Sequence, residues 1–202
     1  MGRREDNKRR KREAIERAGL EAFRTQGYAA ASIEQIAAAA DVARGTFYLY
    51  FPDKLALFDA LVDQWYEPVQ GVLADVAEAL ERAHAPGEAR EVYQGMAFGL
   101  AVLLATHRDV VEIVFRESRQ PTDAGRAVRV RELAILDQVT RFTADAAQRG
   151  LIAVGDPRVF ALIVFGSVER LVYEWLMGTP FGDPRVVAEE VLRPFAAALG
   201  LG

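Results

Sequence analysis

Apolar residues recur at steps of three and four along almost the whole chain, and no stretch shows the sustained alternation of a strand. A repeat of this period places side chains on one face of an α-helix, so the sequence predicts an all-α protein. Breaks rich in Gly, Pro and Asp divide the pattern into about nine helices. They are predicted at residues 8–26, 32–40, 44–50, 86–107, 108–118, 126–149, 156–177 and 183–199, together with a long fourth helix that opens at residues 52–53.

Local signals mark three points along these helices. Gly27 follows the first pattern at the position where a left-handed C-terminal cap is favoured. Ser32 and Gln35 form a capping-box pattern that starts the second helix. Pro68 falls inside the fourth pattern, and because proline lacks an amide N–H and clashes with the preceding turn, we expect a kink or a break there.

The composition argues against several classes of protein. The chain has no cysteine, which excludes disulfides and thiolate metal sites, and only two histidines, His84 and His107. It has no Gly-rich phosphate loop, and Glu112 and Glu117 are five positions apart, so they do not meet squarely on a helix. We therefore expect neither an enzyme nor a metal or cofactor. No apolar run approaches the ~20 residues of a membrane-spanning helix, so a soluble, cytoplasmic protein is expected.

The charge is unevenly distributed. The formal net charge is −4, yet residues 1–51 carry 10 Lys or Arg against 7 Asp or Glu, and the remainder carries 15 against 22. Much of the positive charge lies in a basic arm, residues 3–12, which indicates contact with a polyanion such as nucleic acid. Taken alone, the arm fits a solvated, frayed terminus equally well.

The segment after this arm is typical of a helix-turn-helix. Two short helices joined by a tight turn at residues 41–43 follow a longer helix, and in such a unit the second short helix enters the major groove. Arg44, Gly45 and Thr46 stand at its N-terminal end, nearest the bases. Phe47 and Phe51 lie four positions apart and are assigned to the core.

Three more side chains are predicted to contact DNA phosphates. Tyr48 and Tyr50 point away from the phenylalanine face and carry hydroxyls that can donate. Lys54 lies in the first turn of the next helix, where its own charge and the helix dipole both favour an anion. For the two tyrosines, packing in the core is the alternative.

Taken together, these residues resemble the tetracycline-repressor (TetR) family over about residues 10–60. The resemblance is carried by Gly27-Tyr28, Ser32-Ile33-Glu34-Gln35-Ile36-Ala37, the run from Val42 to Lys54, and Leu57-Phe58. It implies that Ser32 caps the second helix at a phosphate. Asp41 departs from the small residue, often glycine, that is usual in the turn, although aspartate tolerates turn conformations. Tyr50 stands where histidine is common.

The resemblance also implies a domain organisation and a function. Residues 1–52 are expected to form the DNA-binding domain and residues 53–202 a helical ligand-binding and dimerisation domain. The protein is then expected to bind palindromic operator DNA as a homodimer, as a repressor by family habit, and to be released by a small, largely apolar effector. The alternative is a sequence-nonspecific architectural DNA-binding protein without an effector, against which the large apolar second domain argues.

The eighth predicted helix is apolar on almost all sides, which requires burial on several sides. The resemblance implies that it forms a four-helix bundle with the ninth helix across a two-fold axis. Leu199 completes the apolar stripe of that ninth helix. The predicted dimer interface comprises Phe160, Ile163, Val168, Leu171, Trp175, Val191 and Phe195.

The family usually encloses its effector among helices four to eight, where this chain is rich in aromatic residues. The candidate pocket residues are Trp65, Tyr93, Phe98, Phe115, Arg116, Phe142, Glu169 and Tyr173. For any single one of these aromatic residues, packing in the core is the favoured explanation. Internal salt bridges likewise explain the charged residues in apolar company, which are Arg116, Glu169, Arg170 and Glu174.

Overall fold

The structure, a computed structural model, describes residues 2–198, without the side chains at positions 3, 184, 185, 192, 194 and 198. This range contains nine α-helices and no strand, which confirms the all-α prediction. The helices are α1 Arg3–Ala30, α2 Ile33–Ala39, α3 Arg44–Tyr48, α4 Lys54–Arg82, α5 Pro86–Thr106, α6 Arg108–Glu117, α7 Asp123–Gln148, α8 Pro157–Leu176 and α9 Pro184–Ala198. Leu199 and the side chain of Arg3, both named in the sequence predictions, lie outside the described residues.

The first helix begins earlier than predicted, because the basic arm is itself helical. Arg9 lies 3.6 Å from Glu13 and Arg12 lies 2.8 Å from Glu16, and such pairs four positions apart favour a helix. The helix is interrupted at Gly27 with the expected positive φ, 80°, but its ψ of 162° is extended, so the left-handed helical cap itself was wrong. A side chain at this φ would be strained, so glycine suits the position.

The long helix α4 runs without interruption through Pro68, so an outright break there is wrong. The apolar stripe continues beyond the proline, where Val69, Leu73, Val76 and Leu80 are all buried. Burial of this stripe offsets the hydrogen bond that the proline cannot donate.

The described residues form two compact units. One contains residues 2–65 and 109–130, and the other contains residues 66–108 and 131–198. This grouping does not test the predicted domain boundary between residues 52 and 53, which concerns DNA binding rather than compactness and stays a prediction. Within residues 2–198, no helix combines the length and the apolarity needed to cross a bilayer.

The first unit is built around a cluster of aromatic rings. The ring centroids of Phe23, Tyr28 and Phe58 lie 5.4–5.7 Å apart, with tilted or edge-on geometry. Helix α1 packs closely on α4 at Gly19, where an added Cβ would lie 2.6 Å from a methyl carbon of Leu57. These contacts hold α1 against α4, and α2 packs on α1 and α3 on α2.

Candidate DNA-binding surface and ligand cavity

The start of α2 is fixed by the predicted capping box. The amide N–H of Gln35 donates to Ser32 Oγ at 3.2 Å, and the amide N–H of Ser32 donates to Gln35 Oε1 at 3.1 Å. The Ser32 hydroxyl also lies 3.0 Å from Gln35 Oε1. The capping prediction is confirmed, and contact between Ser32 and a phosphate stays a prediction.

The turn between α2 and α3 has the conformation that its aspartate was expected to tolerate. Asp41 adopts φ of 53°, in the left-handed region, and the amide of Val42 donates to the carbonyl of Ala37 at 3.0 Å. Aspartate enters this region more readily than most residues, so the departure from glycine leaves the turn intact.

Two phenylalanines anchor α3 to the first unit, as predicted. Phe47 and Phe51 are both buried and their ring centroids lie 5.9 Å apart. The opposite side is open: Arg44, Gly45 and Tyr48 are exposed, and nothing lies within 4 Å of a Cβ added to Gly45. Thr46 and Tyr50 are partly exposed, Tyr50 lying just beyond the end of the helix.

Leu49 is a surface residue that the sequence predictions left out. Its side chain is 79% exposed, more than that of any other large apolar residue on this part of the surface. An aliphatic side chain near a recognition helix can contact a thymine methyl group. The spacing gave a usable signal, since position 49 falls midway between the two buried phenylalanines and therefore points outward.

Arg44 is not free in the structure without DNA. Its guanidinium lies 2.8 Å from a carboxylate oxygen of Glu34 on α2 and 3.5 Å from the hydroxyl of Tyr48. The bond to Tyr48, followed by the charge of Glu34, raises the pKa of Arg44. Contact between Arg44 and DNA stays a prediction, and it requires Arg44 to exchange these partners.

Lys54 has a structural role that the sequence did not indicate. Its ammonium donates to the carbonyls of Tyr28 at 2.6 Å and Ala31 at 2.7 Å, and lies 4.4 Å from the centre of the Tyr28 ring. Burial lowers the pKa of Lys54, and the charge of Glu117 opposes this effect. The contact of Lys54 with phosphate stays a prediction.

Helix α6 is tied to the end of α1 by two carboxylates. The buried Glu117 accepts from the amide of Tyr28 at 2.9 Å and from the hydroxyl of Thr122 at 3.2 Å. Glu112 accepts from the guanidinium of Arg24 at 3.0 Å. The two glutamates that were too poorly aligned for catalysis therefore bind separate points of α1.

The second unit contains a cavity of about 1110 Å³. Of the predicted pocket residues, Tyr93 and Phe98 line it, and the ring of Phe142 lies 6.3 Å from that of Tyr93. The other predicted pocket residues, Trp65, Phe115, Arg116, Glu169 and Tyr173, are not on this wall. Arg170 and Glu174 form an ion pair, as the salt-bridge alternative anticipated.

Six of the residues predicted for the dimer interface also line this cavity within the single chain. They are Phe160, Val168, Leu171, Trp175, Val191 and Phe195. Ile163 is not among them and is 55% exposed. In the described part of the chain, no group of three His, Asp or Glu side chains is placed to hold a metal ion.

Comparisons with known proteins identify the family. Residues 15–61 match the family described as "Bacterial regulatory proteins, tetR family". The HTH-type transcriptional regulator TtgR of Pseudomonas putida is 31% identical over 169 residues, which cover 82% of this chain and 78% of that protein. The chain therefore belongs to the TetR family of transcriptional regulators.

Solved structures show the same fold over almost the entire chain. NalD, the secondary repressor of the MexAB-OprM multidrug efflux pump in Pseudomonas aeruginosa, is 24% identical with a TM-score of 0.75, covering 95% of this chain and 98% of that one. FadR of Thermus thermophilus, a TetR-family transcriptional repressor in complex with lauroyl-CoA, is 26% identical with a TM-score of 0.63, covering 93% and 94%. These relatives are regulators rather than enzymes, and a sequence-nonspecific architectural protein is not favoured.

Proposed function

We propose that this chain is a cytoplasmic, homodimeric repressor that binds a palindromic operator and is released when an effector enters the cavity of the second unit. In this proposal, residues 1–52 serve DNA binding and residues 53–202 serve ligand binding and dimerisation. One observation carries the proposal: a rigidly anchored α3 with an open outer surface occurs in the same chain as a large apolar cavity.

The proposal that the protein binds DNA rests on the outer surface of α3. Arg44, Gly45 and Thr46 lie at its N-terminal end, where a recognition helix contacts bases. Tyr48 and Tyr50 would then donate to phosphates, together with Ser32, Lys54 and the basic arm. A helix of this length reads too few bases alone, so two copies on a palindrome supply the specificity.

The proposal that the protein forms a homodimer rests on the apolar surface of α8. Val159, Leu162, Ile163, Tyr173 and Met177 are large apolar residues exposed at the surface of the single chain. Clustered exposed apolar residues usually mark an interaction site. We assign this surface of α8, with α9, to contact with a second copy of the chain.

The proposal that an effector binds in the second unit rests on the size and lining of the cavity. Its volume of about 1110 Å³ is sufficient for a large organic ligand, and most of the residues around it are apolar. FadR of Thermus thermophilus, a transcriptional repressor of this family, is in complex with lauroyl-CoA, so a repressor of this fold that holds a ligand with a long apolar chain has precedent.

The proposal is tested with DNA duplexes from the promoter region beside the protein's own gene. Fluorescence anisotropy with overlapping duplexes should find one palindromic segment that binds at least about a thousandfold more tightly than a scrambled duplex. Sedimentation should show two chains, or a multiple of two, on that segment. Equal affinity for every duplex would instead establish the architectural alternative.

A further inference from the structure

Helix α5 contributes to the cavity wall along most of its length. Its cavity-lining residues extend from Arg90 to Ala105, and Arg108 follows at the start of α6. Because an α-helix rises about 1.5 Å per residue, the part of the wall from Arg90 to Ala105 is about 22 Å long. Helices α8 and α9 and the connection between them, including Phe181, supply much of the remaining wall. The shape therefore suits an extended molecule.

Two hydroxyl groups interrupt this apolar wall. Tyr93 on α5 is 5% exposed, Thr143 on α7 is fully buried, and both residues line the cavity. Neither hydroxyl oxygen has a hydrogen-bond partner of acceptable geometry, and both oxygens are buried. A buried polar group without a partner is costly, so a ligand oxygen that reached these hydroxyls from the cavity would satisfy them.

The surroundings of these hydroxyls are uncharged. Burial raises the pKa of Tyr93 to about 12, and the neighbouring Thr143 hydroxyl opposes part of this rise. No ionised side chain contributes to the shift. An anion placed here would lose its hydration without gaining a cation, whereas a neutral oxygen would gain one or two hydrogen bonds.

Positive charge is present elsewhere on the wall, but part of it is already engaged. The Arg108 guanidinium lies 4.4 Å from the centre of the Trp175 ring, and Arg193 lies 2.8 Å from Glu190. Glu189 adds a negative charge to the lining, and Arg90 is exposed. Arg90 and Arg108 are therefore the side chains on which an anionic ligand would depend.

We propose that the effector is an uncharged, elongated and largely apolar molecule whose carbonyl or hydroxyl oxygen hydrogen-bonds to Tyr93 and Thr143. This inference rests on the proposed function, because it takes the cavity to be the effector site. Tyr93 and Thr143 select for that oxygen, and the apolar walls of α5, α8 and α9 hold the rest of the molecule.

The ligand class is tested by tryptophan fluorescence. The chain has two tryptophans, so a Trp65→Phe background leaves Trp175, on the cavity wall, as the only reporter. Hexadecanol, hexadecanoate and palmitoyl-CoA share one chain length and differ in the charge of the head group. Hexadecanol should bind at least about tenfold more tightly than hexadecanoate. Tighter binding of hexadecanoate or palmitoyl-CoA than of hexadecanol would overturn the proposal, and its weakening by Arg90→Gln or Arg108→Gln would identify the cation responsible.

The role of the two hydroxyls is tested with Tyr93→Phe and Thr143→Val. Each should weaken hexadecanol binding by about three- to tenfold, the value of one hydrogen bond. Each should leave the melting temperature of the empty protein unchanged or higher, because an unsatisfied buried hydroxyl is removed. Tyr66→Phe is the control, since Tyr66 is buried outside this cavity wall. Lower stability with unchanged hexadecanol affinity would mean that the hydroxyls are only structural.

Operator binding is measured in parallel. The effector role of the cavity and the uncharged nature of its ligand can then be contradicted independently of each other. Tight hexadecanol binding that leaves operator affinity unchanged would contradict the effector role of the cavity while supporting the ligand chemistry. Operator release by palmitoyl-CoA, with no binding of hexadecanol, would support the effector role and overturn the neutral ligand.

Discussion

The ammonium of Lys54 is required for two different tasks. In the structure it donates to the carbonyls of Tyr28 and Ala31 and, at 3.4 Å, to that of Ala29, all in the short segment after Gly27. In the DNA complex it is predicted to bind a phosphate. Because three carbonyls can take all three donor hydrogens, a phosphate contact requires Lys54 to give up at least its longer bond to Ala29.

Lys54→Ala and Thr46→Ala separate these tasks. Lys54→Ala should lower the free energy of unfolding by about 1–2 kcal/mol, because two carbonyls lose a charged donor, and should weaken binding to all duplexes alike. Thr46→Ala should leave stability unchanged and alter which sequence is preferred. Urea unfolding and anisotropy with operator and random duplexes measure both effects.

Lys8→Ala is the matched control, because it removes one exposed positive charge from α1. It should weaken DNA binding without changing stability. If Lys54→Ala destabilises the protein but leaves affinity for every duplex intact, Lys54 acts only as a cap.

Glu34→Gln should tighten DNA binding by up to about fivefold, because the amide releases Arg44 and removes a negative charge beside the phosphates. Anisotropy at low salt is the appropriate measurement, since screening is weakest there. Glu21→Gln removes the same charge from α1, where Glu21 lies 3.6 Å from Arg24, and should have a smaller effect. Equal affinity of Glu34→Gln and the unchanged protein would show that the ion pair does not hinder Arg44.

Single residues predicted the structure correctly where a helix end or a turn needs a particular backbone conformation or cap. Gly27, Ser32 and Asp41 each occupy the conformation or cap that their side-chain chemistry favours. Lys54 and Glu117 were not predictable, because their partners are carbonyl and amide groups that come together only in the folded chain. No spacing rule in the sequence connects positions 28 and 117.

At the scale of elements, Glu117 joins the end of α6 to the segment that follows the α1 interruption. Glu117→Ala leaves the buried amide of Tyr28 without an acceptor and should cost about 1–3 kcal/mol of stability. Glu117→Gln keeps an acceptor oxygen and should cost less. Urea unfolding distinguishes the two variants, and an Ala variant as stable as the unchanged protein would contradict the assigned role.

Helix α4 contains residues of both compact units and carries Pro68 in its interior. A kink at this proline suggests the hypothesis that motion in the ligand-binding domain swings α4 and thereby the recognition helix α3. Pro68→Ala restores an amide donor and should raise stability by up to about 3 kcal/mol while reducing the operator release caused by the effector. Operator affinity with and without the effector measures the coupling.

Gly71→Ala provides a control for helix stability. It lies one turn beyond the proline, and nothing lies within 4 Å of an added Cβ. This variant should stabilise α4 by about 1 kcal/mol and leave operator release unchanged. Unaltered release in Pro68→Ala would discard the coupling hypothesis.

At the scale of the whole molecule, assembly should depend on the exposed surface of α8. Ile163→Glu places a charge on a residue that is 55% exposed and should shift the dimer to single chains, with a large loss of operator affinity. Sedimentation at several protein concentrations measures the shift. Val130→Glu, at a residue 67% exposed on α7, should leave the assembly intact.

The position of the cavity was the least predictable feature of the molecule. The sequence shows that α8 is apolar on most sides but not which side meets a second chain and which lines a cavity. Phe160 and Trp175, expected at the interface, lie on the cavity wall, whereas Ile163 is exposed. Such a division depends on how distant helices pack, and periodicity within one helix does not contain that information.

In the ion pair between Glu34 and Arg44, the carboxylate of Glu34 competes with operator DNA for the guanidinium of Arg44. Added salt weakens the attraction between the protein and phosphates, but it also loosens the internal pair that must open before Arg44 can reach DNA. The two effects have opposite signs. Affinity should therefore fall less steeply with ionic strength than the number of phosphate contacts alone would dictate, so that operator occupancy is buffered against changes in the salt of the surroundings.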